Sequence, residues 1–269
     1  MFFEDIHKAS RDYPYIDLTM SNINYVSHFH AEAEIVYVVS GSTKLLVSGS
    51  AQDLVEGDIR IVLPGEIHSF VSVSENCLYI MKLFAPPEFG AMQVRGLLHK
   101  TDAAYREFKD IIETIAYEDT AKQPGYRYAV CAEVNRLLLA IVRTLGARKI
   151  TESERKSTLK KSEFLNDVNE YIEEHFSEKI LLDDICRKTH YSKYYFVHLF
   201  KEITSLSFVE YLTVFRLEKA KALLLSGSRV TEVAMNCGFG NLRSFNRCFS
   251  KYYLTTPAAF KKNGTRELI

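Results

Sequence analysis

Apolar positions along the chain change their period twice. Between about Ile16 and Phe84 they form short runs cut by turn residues. Glu34–Val39 ends in Ser40-Gly41-Ser42, Lys44–Val47 in Ser48-Gly49-Ser50, and Asp58–Leu63 in Pro64-Gly65, with Cys77–Leu83 following. Runs of this length and spacing predict the strands of a sandwich or barrel. After Pro86-Pro87 the period lengthens. Tyr105, Phe108, Ile111, Ile112 and Ile115 lie on one helical face, and Val130, Val134, Leu137, Leu138, Ile141, Val142 and Leu145 form another beyond the break at Pro124-Gly125. Residues 147–161, ARKITESERKSTLKK, are highly charged and read as an exposed linker.

Every segment downstream has the helical period. Phe164, Leu165, Val168, Tyr171 and Ile172 share a face, and Asp183-Asp184 open a short helix carrying Ile185, where carboxylates suit the positive end of the helix dipole. Ser192 can cap a helix with Phe196, Leu199, Phe200 and Ile203 inward. A long helix from about Ser207 to Leu225 ends at Ser226-Gly227, and then the pattern repeats. Ile185 corresponds to Val233 at an offset of 48, and Phe196, Phe200 and Tyr211 correspond to Phe245, Phe249 and Phe260 at 49. A duplicated helix-turn-helix is a stronger signal than either copy alone.

Composition first argues against a nucleic-acid partner, since 269 residues carry 34 basic and 34 acidic side chains. The zero is a cancellation. Residues 1–159 hold 17 basic against 21 acidic groups and residues 160–269 hold 17 against 13, giving an acidic half and a basic half. Arg187–Lys201 has four basic residues and no acid. Five cysteines at 77, 131, 186, 237 and 248 include no C-x-x-C, so neither a disulfide framework nor a thiolate zinc site is indicated, and a cytoplasmic location fits. The opening MFFEDIHKASRDYPY lacks the basic start and apolar centre of a secretion signal. The apolar stretch Val134–Leu145 is short and contains Arg136 and Arg143, so no membrane span is expected.

The outward positions of the two second helices suit DNA. In the first copy they include Lys193, Tyr194, Val197, His198 and Lys201, behind the cap Ser192; in the second, Asn241, Arg243, Ser244, Asn246, Arg247 and Lys251. Arg243 and Arg247 stand one helical turn apart, where guanidinium groups can each donate two bonds to guanine, and Asn246 could serve adenine.

Glu163 to Lys262 resembles the DNA-binding domain of AraC/XylS-type bacterial regulators. The resemblance is carried most specifically by Val233-Ala234-x3-Gly238-Phe239-x5-Phe245-x-Arg247-x-Phe249-x7-Pro257-x2-Phe260. It implies major-groove helices starting near Ser192 and Asn241, with base and phosphate contacts from Tyr194, Val197, His198, Leu242, Arg243, Asn246 and Arg247. It also implies double-stranded DNA and RNA polymerase as partners, and a homodimer formed through one helix of the 98–147 segment. The chain departs from the pattern at His190, Ser205 and Leu254, which stand where glycines are usual, and at Cys186, which stands for alanine.

His28-Phe29-His30-x3-Glu34-x6-Gly41 and Gly57-x6-Pro64-Gly65-x2-His68 resemble the two cupin motifs, although Asn22 replaces an opening glycine and no asparagine follows His68 at the usual spacing. His28, His30, Glu34 and His68 are a candidate ligand set for a divalent transition metal. With Tyr37, Arg60 and Tyr79 they are also candidate contacts for a small-molecule effector. The expected fold is α+β in two domains: a cupin-like barrel at 1–97, a helical dimerisation segment at 98–147, a linker at 148–161 and a double helix-turn-helix at 162–269. The expected function is a sequence-specific, effector-controlled transcription regulator, as an activator. The competing reading is a metal-dependent cupin enzyme with a helical accessory domain.

Overall fold

The structure, a computed structural model, describes residues 13–21 and 25–264; Asn22 and the N-terminal stretch to residue 12 lie outside the described residues. The strands are β1 (Tyr15–Ser21), β2 (Tyr25–His28), β3 (Ala33–Val47), β4 (Ser50–Val55), β5 (Ile59–Val62) and β6 (His68–Leu83). After a short 3-10 turn come β7 (Met92–Gln93) and β8 (Leu97–Leu98). All pair antiparallel, and the long strands β3 and β6 run side by side as the spine. β5 and β4 line the free edge of β3, while β1 and β2 line that of β6.

The Ser40-Gly41-Ser42 segment is not a turn between strands. β3 passes straight through it by means of register shifts at Val38/Ser40 and Gly41/Thr43. Gly41 permits the bend because it has φ 75° and a Cβ there would lie 2.0 Å from the Glu75 carbonyl oxygen. Ser48-Gly49, by contrast, is a true hairpin turn, with both residues at positive φ as a two-residue loop requires.

Alternation gives the sheet two buried faces. Ile35, Tyr37, Ile59, Ile61, Met81 and Leu83 pack against two helices, α1 (Tyr105–Ala121) and α2 (Tyr126–Thr144), through Phe108, Ile111, Ile115, Leu137 and Ile141. Val36, Val38, Leu45, Val62, Phe70 and Ile80 form a separate core on the opposite face. Val142, which the periodicity assigns to the inward face of α2, is exposed.

The segment read as a linker is ordered. Arg148–Lys149 form β9, paired with β7, and α3 (Glu152–His175) then runs unbroken into the C-terminal domain. Thr151 and Glu154 close a capping box, and Arg148 bonds Glu154 at 2.8 Å. Its charged residues are good helix formers on an exposed helix, so high charge marks solvent exposure here, not irregular backbone.

The remaining helices are α4 (Leu182–Thr189), α5 (Lys193–Thr204), α6 (Phe208–Leu225), α7 (Val230–Asn236), α8 (Leu242–Tyr253) and α9 (Pro257–Gly264). Each helix-turn-helix has its own core. Phe164, Ile185, Phe196, Phe200 and Tyr211 centre the first; Val233, Phe245, Phe249 and Tyr253 centre the second. The repeat-equivalent Ile185, Val233, Phe196, Phe245, Phe200 and Phe249 are all fully or almost fully buried.

Candidate DNA interface and ligand centre

Both candidate reading helices start from side-chain caps. Ser192 Oγ accepts from the Tyr195 amide at 3.3 Å, and Asn241 Oδ1 accepts from the Ser244 amide at 2.8 Å. These two candidate contact residues therefore have a structural task of their own. On α5, Lys193, Tyr194, Val197, His198 and Lys201 are exposed, with the Tyr194 ring tilted against that of His198 at 4.3 Å between centroids. Lys193 pairs with Asp183 at 2.6 Å, so part of its charge is already compensated. On α8, Leu242, Arg243, Asn246, Arg247 and Lys251 are exposed and Ser244 is half-buried. Arg243 and Arg247 make no ion pair among the described residues, so their guanidinium groups are available to a polyanion.

His190, Ser205 and Leu254 do occupy left-handed backbone, at φ 57°, 58° and 57°. Each ends a helix, so the turn geometry is kept although a side chain is present.

In the sheet domain, His28, His30, Glu34 and His68 converge, with ligand atoms all within 4.8 Å of one another and each residue at most 3% exposed. The Nδ1–H of His30 donates to the Glu32 carbonyl at 3.0 Å and that of His68 to the Glu66 carbonyl at 2.9 Å. Both Nε2 atoms face Glu34, that of His30 within hydrogen-bond distance of Oε2 at 3.2 Å and that of His68 at 3.5 Å from Oε1. Outer nitrogens bonded to carbonyls with inner nitrogens turned toward a shared carboxylate are the arrangement of metal-ligating histidines. Glu34 Oε1 and His68 Nε2 have no hydrogen-bond partner, which is costly for buried polar atoms unless something binds there. The set fits a divalent transition metal.

Burial, and then the neighbouring His68 and His30, hold the His28 imidazole well below its ordinary pKa, in the neutral form that ligates. Burial opposes the charge on Glu34, but His68 and His30 outweigh it and keep the carboxyl well below the usual range. Lys82, opposite Glu34 in the sheet register, places Nζ 3.8 Å from Glu34 Oε2. The sequence reading missed it, although a lysine in step with Leu78 and Ile80 was the available signal.

The other effector candidates separate. Arg60 is buried and tied to Gln52 at 2.9 Å, to the Ile61 carbonyl and, more loosely, to Glu66. Tyr37 and Tyr79 form a ring pair on the face that packs against the helices, away from the histidines.

The two domains touch beside this centre. Tyr211 Oη meets the Ser27 carbonyl at 2.8 Å and Asn169 Oδ1 at 2.7 Å, all three residues being buried. Phe29 and Ile67 pack into the core of the first helix-turn-helix. Ser205 Oγ donates to the Gly49 carbonyl at 3.0 Å. Gly49 comes so near α5 that a Cβ would lie 2.0 Å from the Glu202 carbonyl oxygen.

Residues 15–167 match the AraC-like ligand binding domain, and residues 185–263 match a helix-turn-helix domain. The chain belongs to the AraC family of transcription regulators. It is 34% identical over 105 residues to the transposon Tn10 TetD protein of Escherichia coli, covering 39% of this chain and 76% of that one. It is 35% identical over 104 residues to the probable transcription factor PqrA of Proteus vulgaris, covering 38% and 85%. Among solved structures, unsaturated fatty acid bound ToxT from Vibrio cholerae aligns over 92% of this chain and 93% of its own, at 13% identity and a TM-score of 0.46. This AraC-family regulator binds DNA through its helix-turn-helix domain and a small molecule through its N-terminal domain. No described helix is long and apolar enough to cross a membrane.

Proposed function

We propose that α5 and α8 of this AraC-family regulator read successive major grooves of its operator. The chain would act as a cytoplasmic homodimer and activate transcription through contact with RNA polymerase. The observation that carries the DNA assignment is the pair of capped helices, each presenting an exposed polar or basic face from a separately cored, duplicated unit. The 18 residues of α6 join the units and rise about 27 Å, a spacing compatible with the ~34 Å turn of B-DNA. The dimer assignment is supported by the outer stripe of α2, where Tyr128, Leu139 and Val142 are 85%, 47% and 37% exposed. The deep burial of all four candidate ligands favours a sensing centre over an enzyme, which would need a path for substrate.

The test is binding to a duplex selected from a random library by the full chain, titrated at fixed salt. Arg243→Ala and Arg247→Ala should each cost about 1–3 kcal/mol on that duplex and far less on unrelated DNA. Equal affinity of wild type and both variants for the selected duplex would remove α8 from base reading.

A further inference from the structure

The internal duplication contains its own control. Positions 49 apart are equivalent in the two units, and at two of them the first unit carries a hydroxyl where the second is apolar. Tyr211 stands against Phe260, and Ser205 against Leu254. Both hydroxyls reach backbone oxygens of the sheet domain, at Ser27 and Gly49. Phe260 packs on Phe249 as Tyr211 packs on Phe200, so a phenyl ring suffices for the repeat's own core. The Ser205 hydroxyl is an addition that serves docking, and that of Tyr211 serves it beside its 2.7 Å bond to Asn169 on α3.

Behind this latch stand the four converging ligands. Phe29 and Ile67 pack into the core of the first helix-turn-helix while their neighbours His28, His30 and His68 converge on the ligand centre, and the Ser27 carbonyl takes the Tyr211 bond. The backbone that carries the ligands is therefore the backbone that carries the docking contacts. Ligand atoms now spread over as much as 4.8 Å. Four donors set tetrahedrally at ~2.0–2.2 Å from one ion lie about 3.3–3.6 Å apart, so occupation would draw residues 28, 30 and 68 inward.

We propose that a divalent first-row transition-metal ion held by His28, His30, Glu34 and His68 is a signal for this regulator. The Ser27–Tyr211 and Gly49–Ser205 hydrogen bonds transmit its occupancy to the first helix-turn-helix. The proposal rests on the DNA-reading assignment above and specifies how that reading is regulated. This hydrogen-bonded route runs to the first unit, because the second has Phe260 and Leu254, which carry no hydroxyl, at the corresponding places.

The experiment uses the full chain stripped with chelator, then given Zn2+, Mn2+ or anaerobic Fe2+ singly. Bound metal is counted after desalting, amide hydrogen exchange is followed at 25–30 and 202–211, and the affinity for the selected duplex is measured. Expected are one ion per chain, exchange slowed at least about fivefold in both segments, and a DNA affinity changed by at least about fivefold. A Tyr211→Phe and Ser205→Ala double variant should still bind one ion, with the response at 202–211 and on DNA below about twofold. Glu34→Gln, which keeps the shape of the centre, should lose stoichiometric metal while keeping the wild-type circular dichroism. Substoichiometric metal in the wild type, or full metal with unchanged exchange at 202–211, would overturn the proposal. Failure to select any duplex sequence would instead overturn the DNA-reading assignment, and the exchange measurement would still decide the metal latch.

Discussion

Replacing Gly49 with alanine tests the domain contact at its tightest point. Gly49 has φ 82°, so an alanine meets left-handed strain of ~1–2 kcal/mol, partly offset by the ~0.4–1 kcal/mol gained from a stiffer unfolded chain. That much is shared by Gly65, at φ 79°, where an added Cβ would meet nothing within 4 Å. The difference between the two sites is the Glu202 carbonyl oxygen, 2.0 Å from the Gly49 Cβ position. Restoring ordinary contact requires about 1.4 Å of separation, enough to break the 3.0 Å Ser205–Gly49 bond and loosen Ile67 against the first helix-turn-helix core. A lost hydrogen bond contributes ~0.5–1.5 kcal/mol and partial exposure of one aliphatic side chain ~1 kcal/mol. Gly49→Ala should therefore weaken docking by about 2 kcal/mol more than Gly65→Ala. Calorimetry should show one broadened or split transition for Gly49→Ala only, with faster amide exchange around 47–50 and 202–206. Indistinguishable thermograms and exchange for the two variants would show that the turn does not bear on α5.

Three further outcomes follow from particular groups. Burial pushes the Glu218 carboxyl up to about 7, outweighing the nearby Lys221 and the hydrogen bond from Tyr253. The folded state then holds the proton more tightly than the unfolded state, so stability is lost as pH rises from the ordinary carboxyl value toward 7. Because Glu218 is only half-buried, the loss is about 1–2 kcal/mol, and Glu218→Gln should melt higher than wild type at pH 8 but equally at pH 4.5, as read by thermal scans. His190 is exposed at φ 57°, so His190→Gly should raise stability by about 0.5–1 kcal/mol in urea titrations, whereas His190→Ala should not. Leu139→Asp on the outer stripe of α2 should shift the mass measured by light scattering from dimer to monomer and leave circular dichroism unchanged.

The helical half was readable because its signals are local. Ser192, Asn241 and the Phe196/Phe245 repeat announce caps and core within a few residues, and each occupies its expected place. Strand limits were less legible, since a glycine in a bulge and a glycine in a turn look alike until the partner strand is present; Gly41 and Gly49 are such a pair. The four-ligand centre was legible through the resemblance to the cupin motifs, with alternation placing only His28 and His30 on one side. Its neighbour Lys82 could not be placed without knowing that β6 pairs with β3 at Glu34. The docking surface was beyond sequence reasoning, because the hydroxyls of Tyr211 and Ser205 look like ordinary variation until their acceptors are 184 and 156 residues away in the chain but in contact in space.

The unbroken α3 changes what the junction between the domains can do. A flexible tether would let the halves drift independently, but 24 helical residues form a rod about 36 Å long, anchored at one end by the β7–β9 pairing and embedded at the other in the first helix-turn-helix. Such a rod works as a lever. A tilt of about 10° near Ile150 carries its far end roughly 6 Å, about half the ~12 Å width of a major groove. A sub-ångström adjustment in the sheet can thus be geared up into the difference between a reading helix that fits its groove and one that misses it.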